Sequence, residues 1–139
     1  MGVYMFGAHY SGEDVSQSFV RKGVACVGWS QDDAPTLHDI LERIRPGDLA
    51  VIKSFGGGPF KIKAVGHVTA VVDDVKDLGR GVKVRWGWVG DRVVPKELME
   101  DKYSSARTVT LYEEPSVRMA EFVTTLLLTE KKTNKRKKR

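Results

Sequence analysis

Val82, Val84, Trp86 and Trp88 alternate with Lys83, Arg85 and Gly87. A two-residue period fits a β-strand, whose successive side chains point to opposite faces, and it gives this strand one apolar face. Such a strand needs neighbours beside it and a layer over it, so the rest of the chain must supply both. Tyr4 to Tyr10 reads as a first strand, ending at Ser11-Gly12. Val24 to Trp29 reads as a short buried strand, Leu49 to Phe55 as another, and Phe60 to Val72 as a long one with a bulge position at Gly66. Thr108 to Tyr112 reads as the last strand.

The covering layer shows as helical spacing. Val15 and Phe19 stand four apart ahead of Gly23, which predicts a short helix over about Glu13–Lys22 closed by a glycine cap. Leu37, Ile40, Leu41 and Ile44 follow the spacing of an amphipathic helix, with Pro35 in its first turn and Pro46-Gly47-Asp48 as its stop. Asp48 suits a side chain that bonds the local backbone of that turn. Ser116 opens a last helix expected to turn Val117, Ala120, Val123 and Leu127 inward. The reading is therefore α+β: a small mixed sheet of five to six strands, a partly closed pseudobarrel, with helices at its flanks.

The 139 residues fit one domain over 1–130 followed by a disordered basic tail over 131–139. The net charge of +5 is a property of that tail, which carries seven cations and no anion; without it 16 basic residues face 18 acidic ones. No apolar run approaches the ~20 residues of a membrane span, and the N-terminus lacks the charge and apolar stretch of a signal peptide. Cys26 is the only cysteine, which excludes an internal disulfide and agrees with a reducing compartment. An intracellular protein, cytoplasmic or nucleoid-associated, is the expectation.

Three strings point to a family. Lys22-Gly23-Val24-Ala25-Cys26-Val27-Gly28-Trp29 is followed by Ile44-Arg45-Pro46-Gly47-Asp48-Leu49-Ala50-Val51-Ile52-Lys53 and by Ile62-Lys63-Ala64-Val65-Gly66-His67-Val68. Together they resemble the PUA-like superfamily, in particular its EVE and YTH branches and the EVE-like modules of modification-dependent restriction systems. Val84-Arg85-Trp86 resembles the basic-then-tryptophan strand of those domains. The resemblance spans roughly residues 20–90. It implies a pseudobarrel that holds a flipped DNA or RNA base, often a modified one, in an aromatic cage, and it makes Trp29 and Trp86 cage candidates, with Trp88 a third.

Each candidate has a plainer reading. Trp86 and Trp88 share a strand face and serve equally to fill a core, whereas Trp29 ends a buried strand beside a polar loop, as a pocket rim would. In that loop Ser30 and Asp32 are candidate ligand-facing groups; Asp32 and Asp33 can accept hydrogen bonds from a base edge or simply keep the loop hydrated. Lys53, Lys61 and Lys63 flank the Gly56-Gly57-Gly58 hairpin and, with Lys83 and Arg85, form either a phosphate-contacting stripe or a solvated strand face. The glycine run lacks the Lys-Ser/Thr ending and the following helix of a nucleotide-binding loop. Lys135, Arg136 and Lys137 in the tail attract polyanions without sequence preference. No nucleophile or carboxylate stands at motif spacing with His9, His38 or His67, and Cys26 lies in an apolar strand, so neither a reaction nor a metal or cofactor is expected. The leading expectation is a nucleic-acid-binding module that holds a base or nucleotide in an aromatic pocket, with DNA or RNA as partner and a protein partner to supply any effector activity; the alternatives are a protein-interaction or regulatory subunit with the same fold and no working base pocket, and a sensor of free nucleotide.

Overall fold

The computed structural model describes residues 1–55, 58–102 and 107–137, with side chains to residue 129. The chain runs β1 (Val3–Gly7), β2 (His9–Tyr10), β3 (Glu13–Asp14), α1 (Ser16–Lys22), β4 (Val24–Val27), α2 (Pro35–Arg43), β5 (Leu49–Ser54), β6 (Lys61–Val75), β7 (Gly79–Val93), α3 (Lys96–Met99), β8 (Leu111–Glu113) and α4 (Val117–Lys137). Six strands form one sheet in the order β4-β7-β6-β5-β1-β8. Among the described residues only β1 and β5 pair in parallel, because α1, β4 and α2 lie between them and carry the chain back; the other pairs are antiparallel. β2 and β3 make a separate small ribbon.

The sheet curls. Phe6 of β1 and Cys26 and Val27 of β4 share one apolar cluster, although three strands separate β1 from β4 in the sheet. Phe19 of α1 and Leu41 of α2 plug that cluster. The opposite face carries a second cluster, in which Met5, Val51, Ile62, Val65 and Trp88 meet Met119, Val123 and Leu126 of α4. The architecture is thus a mixed α+β half-barrel of six strands with helices on both faces. Among the described residues no helix is long and apolar enough to cross a membrane.

Most local expectations hold. Gly23 closes α1 in the left-handed region (φ 66°), Pro35 opens α2, and Asp48 accepts from Arg45 N–H at 2.8 Å and Gly2 N–H at 2.9 Å. Ser116 Oγ caps α4 through Met119 N–H at 3.2 Å.

Two expectations are corrected, and a third lies outside the described residues. Trp86 and Trp88 do not share a face. Val65 stands opposite Trp88 and Gly66 opposite Trp86, so Gly87 is an extra residue in β7 and reverses the alternation. Trp86 therefore packs on the first cluster and Trp88 in the second. The irregularity expected at Gly66 is there, with the additional residue on the partner strand. Val117 is 72% exposed, since two helical residues turn about 200° and place it opposite the buried Met119. Finally, α4 runs to Lys137; the tail side chains, and the expectation of disorder for them, lie outside the described residues, as do Gly56 and Gly57.

Candidate functional site

β4 ends at Val27 opposite Arg80 of β7. Gly28 follows, and the Tyr10 ring lies against its backbone so closely that a Cβ there would stand 2.9 Å from the ring. Tyr10 is fixed in turn: its hydroxyl donates to Leu78 O at 2.6 Å, and its ring meets Phe19 edge-on at 6.1 Å. Burial raises its phenol pKa. Trp29 emerges from this corner with 57% of its surface exposed. Two clefts border it. One of about 200 Å³ has His9, Tyr10, Ser11 and Thr110 as its other walls. The other, of about 550 Å³, is walled by Ser30, Gln31, His38, Arg80, Asp73 and Asp74, among others.

The Trp29 backbone is held by a chain of polar contacts. His38, buried on α2, has Nε2 2.7 Å from Trp29 O. Arg80 lies 3.4 Å from Nδ1 of the same ring, and a guanidinium only donates. Nδ1 must therefore accept, which leaves Nε2 to carry the proton and donate to Trp29 O. Arg80 also pairs with Glu42 at 3.7 Å. The platform is thus anchored at its main chain while its ring stays open to solvent.

The other sequence candidates do not join it. Val27 stands opposite Arg80, six residues and about 20 Å of strand from Trp86. Trp86 is half-buried and donates Nε1–H to Phe19 O at 3.1 Å; Trp88 is buried under α4. No cage of two tryptophans forms. Ser30 belongs to a local turn, accepting from Asp33 N–H at 3.2 Å and donating to Asp33 Oδ2 at 3.0 Å, while also lining the larger cleft. Asp32 is exposed and walls neither cleft.

The basic stripe breaks up. Lys61 and Lys63 both reach Asp91, at 3.6 and 3.5 Å. Lys83 and Arg85 are exposed on the face of β7 away from the first cluster. Lys53 is 6% exposed, so it is no part of a surface stripe; strand alternation puts it on the same face of β5 as Leu49 and Val51, beside the Tyr112 ring, 5.6 Å from Nζ. Lys135, Arg136 and Lys137 lie outside the described side chains.

His9, Tyr10, His38 and Arg80 were missed because sheet topology alone brings them to Trp29. The nearest signal in the sequence was His38 on an otherwise apolar helix stripe. Among the described residues no group of three or more His, Cys, Asp or Glu could hold a metal ion. Neither protein-family models nor curated proteins gave a match to the chain.

Proposed function

We propose that this domain binds nucleic acid, DNA or RNA, by stacking one base, plain or modified, on Trp29, with the basic C-terminal segment adding non-specific attraction to the backbone. The observation that carries the reading is a tryptophan more than half exposed, flanked by two clefts and anchored through its own carbonyl. Stacking on such a ring contributes about 1–3 kcal/mol per base. Asp73 and Asp74 line the larger cleft, where they would accept from the amino groups of a base and repel phosphate. The backbone would then leave on the other side, past His9 and Thr110.

The test is paired binding and unfolding on Trp29→Ala at fixed salt, against plain and methylated nucleosides and oligonucleotides. Affinity for the preferred ligand should fall by about 1–3 kcal/mol with the fold intact. A folded variant that binds the whole panel as the parent does would end the reading. Deleting 131–139 should flatten the salt dependence of oligonucleotide binding, since fewer counterions are released.

One observation favours the protein-interaction reading instead. Both β7 tryptophans are taken up by packing, so the two-tryptophan pocket expected from the family resemblance is not formed, and Trp29 would then serve as an anchor for a partner protein.

A further inference from the structure

Lys53 is buried, and among the described residues it has no counter-ion. Its Nζ donates to Arg107 O at 3.1 Å, and the Tyr112 ring lies beneath it. Two carboxylates on either side of its acceptor in the chain, Asp101 and Glu114, are both engaged by the Arg107 guanidinium. An ammonium has three N–H donors and no acceptor, so Lys53 keeps unused donors, and among the described residues its charge meets only a ring face and a carbonyl, with no anion. A buried charge in that condition either sheds its proton or takes a partner from solution.

A place for such a partner adjoins it. A cleft of about 280 Å³ is walled by Lys53, Gly7, His9, Ser54 and Thr110, among others. Its lining carries hydroxyls and an imidazole and no carboxylate. A Cβ on Gly7 would stand 3.8 Å from Nζ and 3.5 Å from Thr110 O, so Gly7 borders the amine directly. His9 and Thr110 also wall the small cleft beside Trp29. The unpaired ammonium and the exposed indole thus face two clefts that share a wall.

We propose that the Lys53 cleft is an anion site that takes the phosphate of a nucleotide whose base lies on Trp29. The nucleotide part rests on the base-stacking reading above; the anion site does not. Phosphate recognition by a lone lysine acts through a point charge and rotatable donors, and the hydroxyl-rich wall supplies further hydrogen bonds. With nothing bound, burial alone lowers the amine to about 8, and a bound anion should reverse that.

The full chain, labelled with ¹³C at lysine Cε, is titrated by NMR with and without inorganic phosphate. Phosphate should raise the Lys53 midpoint toward the usual lysine value, and chloride at matched ionic strength should not. A midpoint unmoved by phosphate, or moved equally by chloride, overturns the anion site. In a second arm, a nucleoside, its 5′-monophosphate and the corresponding dinucleoside monophosphate are compared. The parent should prefer one phosphorylated form over the nucleoside by about tenfold or more, and Lys53→Met should abolish that preference while leaving nucleoside binding intact. Preference for the monophosphate points to a terminal phosphate, and preference for the dinucleoside form to a backbone one. A phosphate-dependent midpoint without nucleoside binding upholds the anion site and defeats the stacking reading. Nucleoside binding that phosphate does not improve, with an unmoved midpoint, does the reverse.

Discussion

Arg107 and Glu114 flank β8 and are joined by two hydrogen bonds, at 3.0 and 2.9 Å, with both side chains wholly excluded from solvent. Arg107 also donates twice to Asp101, at 2.6 and 3.0 Å, and Glu114 also accepts from Ser116 N–H at 3.0 Å, at the start of α4. One guanidinium therefore ties the segment before β8 to the helix after it, and its carbonyl presents the acceptor for Lys53. The flanking carboxylates raise its pKa further, so it stays charged at every accessible pH.

Arg107→Met should lower stability by about 3–5 kcal/mol, because it leaves the buried Glu114 carboxylate without its cation. Adding Glu114→Leu should recover much of the loss, since an apolar pair carries no desolvation penalty. Urea denaturation of the three proteins checks this; a double variant no better than the single one would mean that the network also positions β8.

The three tryptophans should separate by unfolding energy. Trp88→Ala removes a ring packed against α4 and should cost about 3–5 kcal/mol. Trp29→Ala deletes a mostly exposed ring and should cost under about 1 kcal/mol. Trp86→Ala should fall between them, losing partial packing and the bond to Phe19 O. A large loss at Trp29 in thermal or urea unfolding would place it in the core rather than at a site.

This ranking also marks what could be read from the residues. Alternation identified β7, the glycine cap closed α1, and apolar spacing found α2, because those signals are local. Which face Trp88 takes depends on a bulge made by pairing with β6, and pairing partners leave no local trace. For the same reason Trp29 was legible as a strand-end aromatic beside a polar loop, whereas His9 and Tyr10, twenty and nineteen positions away, were not. Lys53 reads as a surface cation by type; only the register of β5 against β1 and β6 buries it.

Gly66→Ala should be disruptive. A Cβ there would stand 2.8 Å from Trp86 Cα and 2.5 Å from Arg85 O. Both are backbone atoms of β7 and cannot rotate away. Overpacking of this kind costs typically about 1–3 kcal/mol. Its effect should reach the β6–β7 bulge, visible as changed amide shifts around Gly87. An alanine variant as stable as the parent would show that the two strands can part locally.

Cys26 should resist thiol reagents. It is fully buried in β4, and burial pushes its thiol up to about 12, so the reactive thiolate is scarce even where a reagent reaches it. Labelling near neutral pH should be slow in the native protein and fast in denaturant. Cys26→Ser should destabilise by about 1–3 kcal/mol through a buried hydroxyl. Rapid native labelling would mean that β4 detaches from β7.

The last prediction follows from the same lysine that faces the anion cleft. Folded, Lys53 releases its proton near 8; its ordinary value is 10.5. Below about 8 both folded and unfolded chains hold the proton, and the penalty for burying the charge is present in full. Between about 8 and 10.5 the unfolded chain binds more protons than the folded one, so stability rises with pH through this window; above it both forms are uncharged and the penalty is gone. The size is on the order of 3 kcal/mol. Tyr10 and Tyr112, whose phenols burial pushes up, act in the opposite sense above about 10. They are common to the parent and Lys53→Met, so the difference between those two proteins isolates the lysine. Urea midpoints measured in phosphate-free buffer from about pH 7 to about pH 10 should show Lys53→Met gaining most over the parent at the low end and losing that advantage as the pH rises. A difference that stays flat across the window would mean that Lys53 keeps an ordinary pKa, and the buried, unanswered charge on which the anion site depends would not exist.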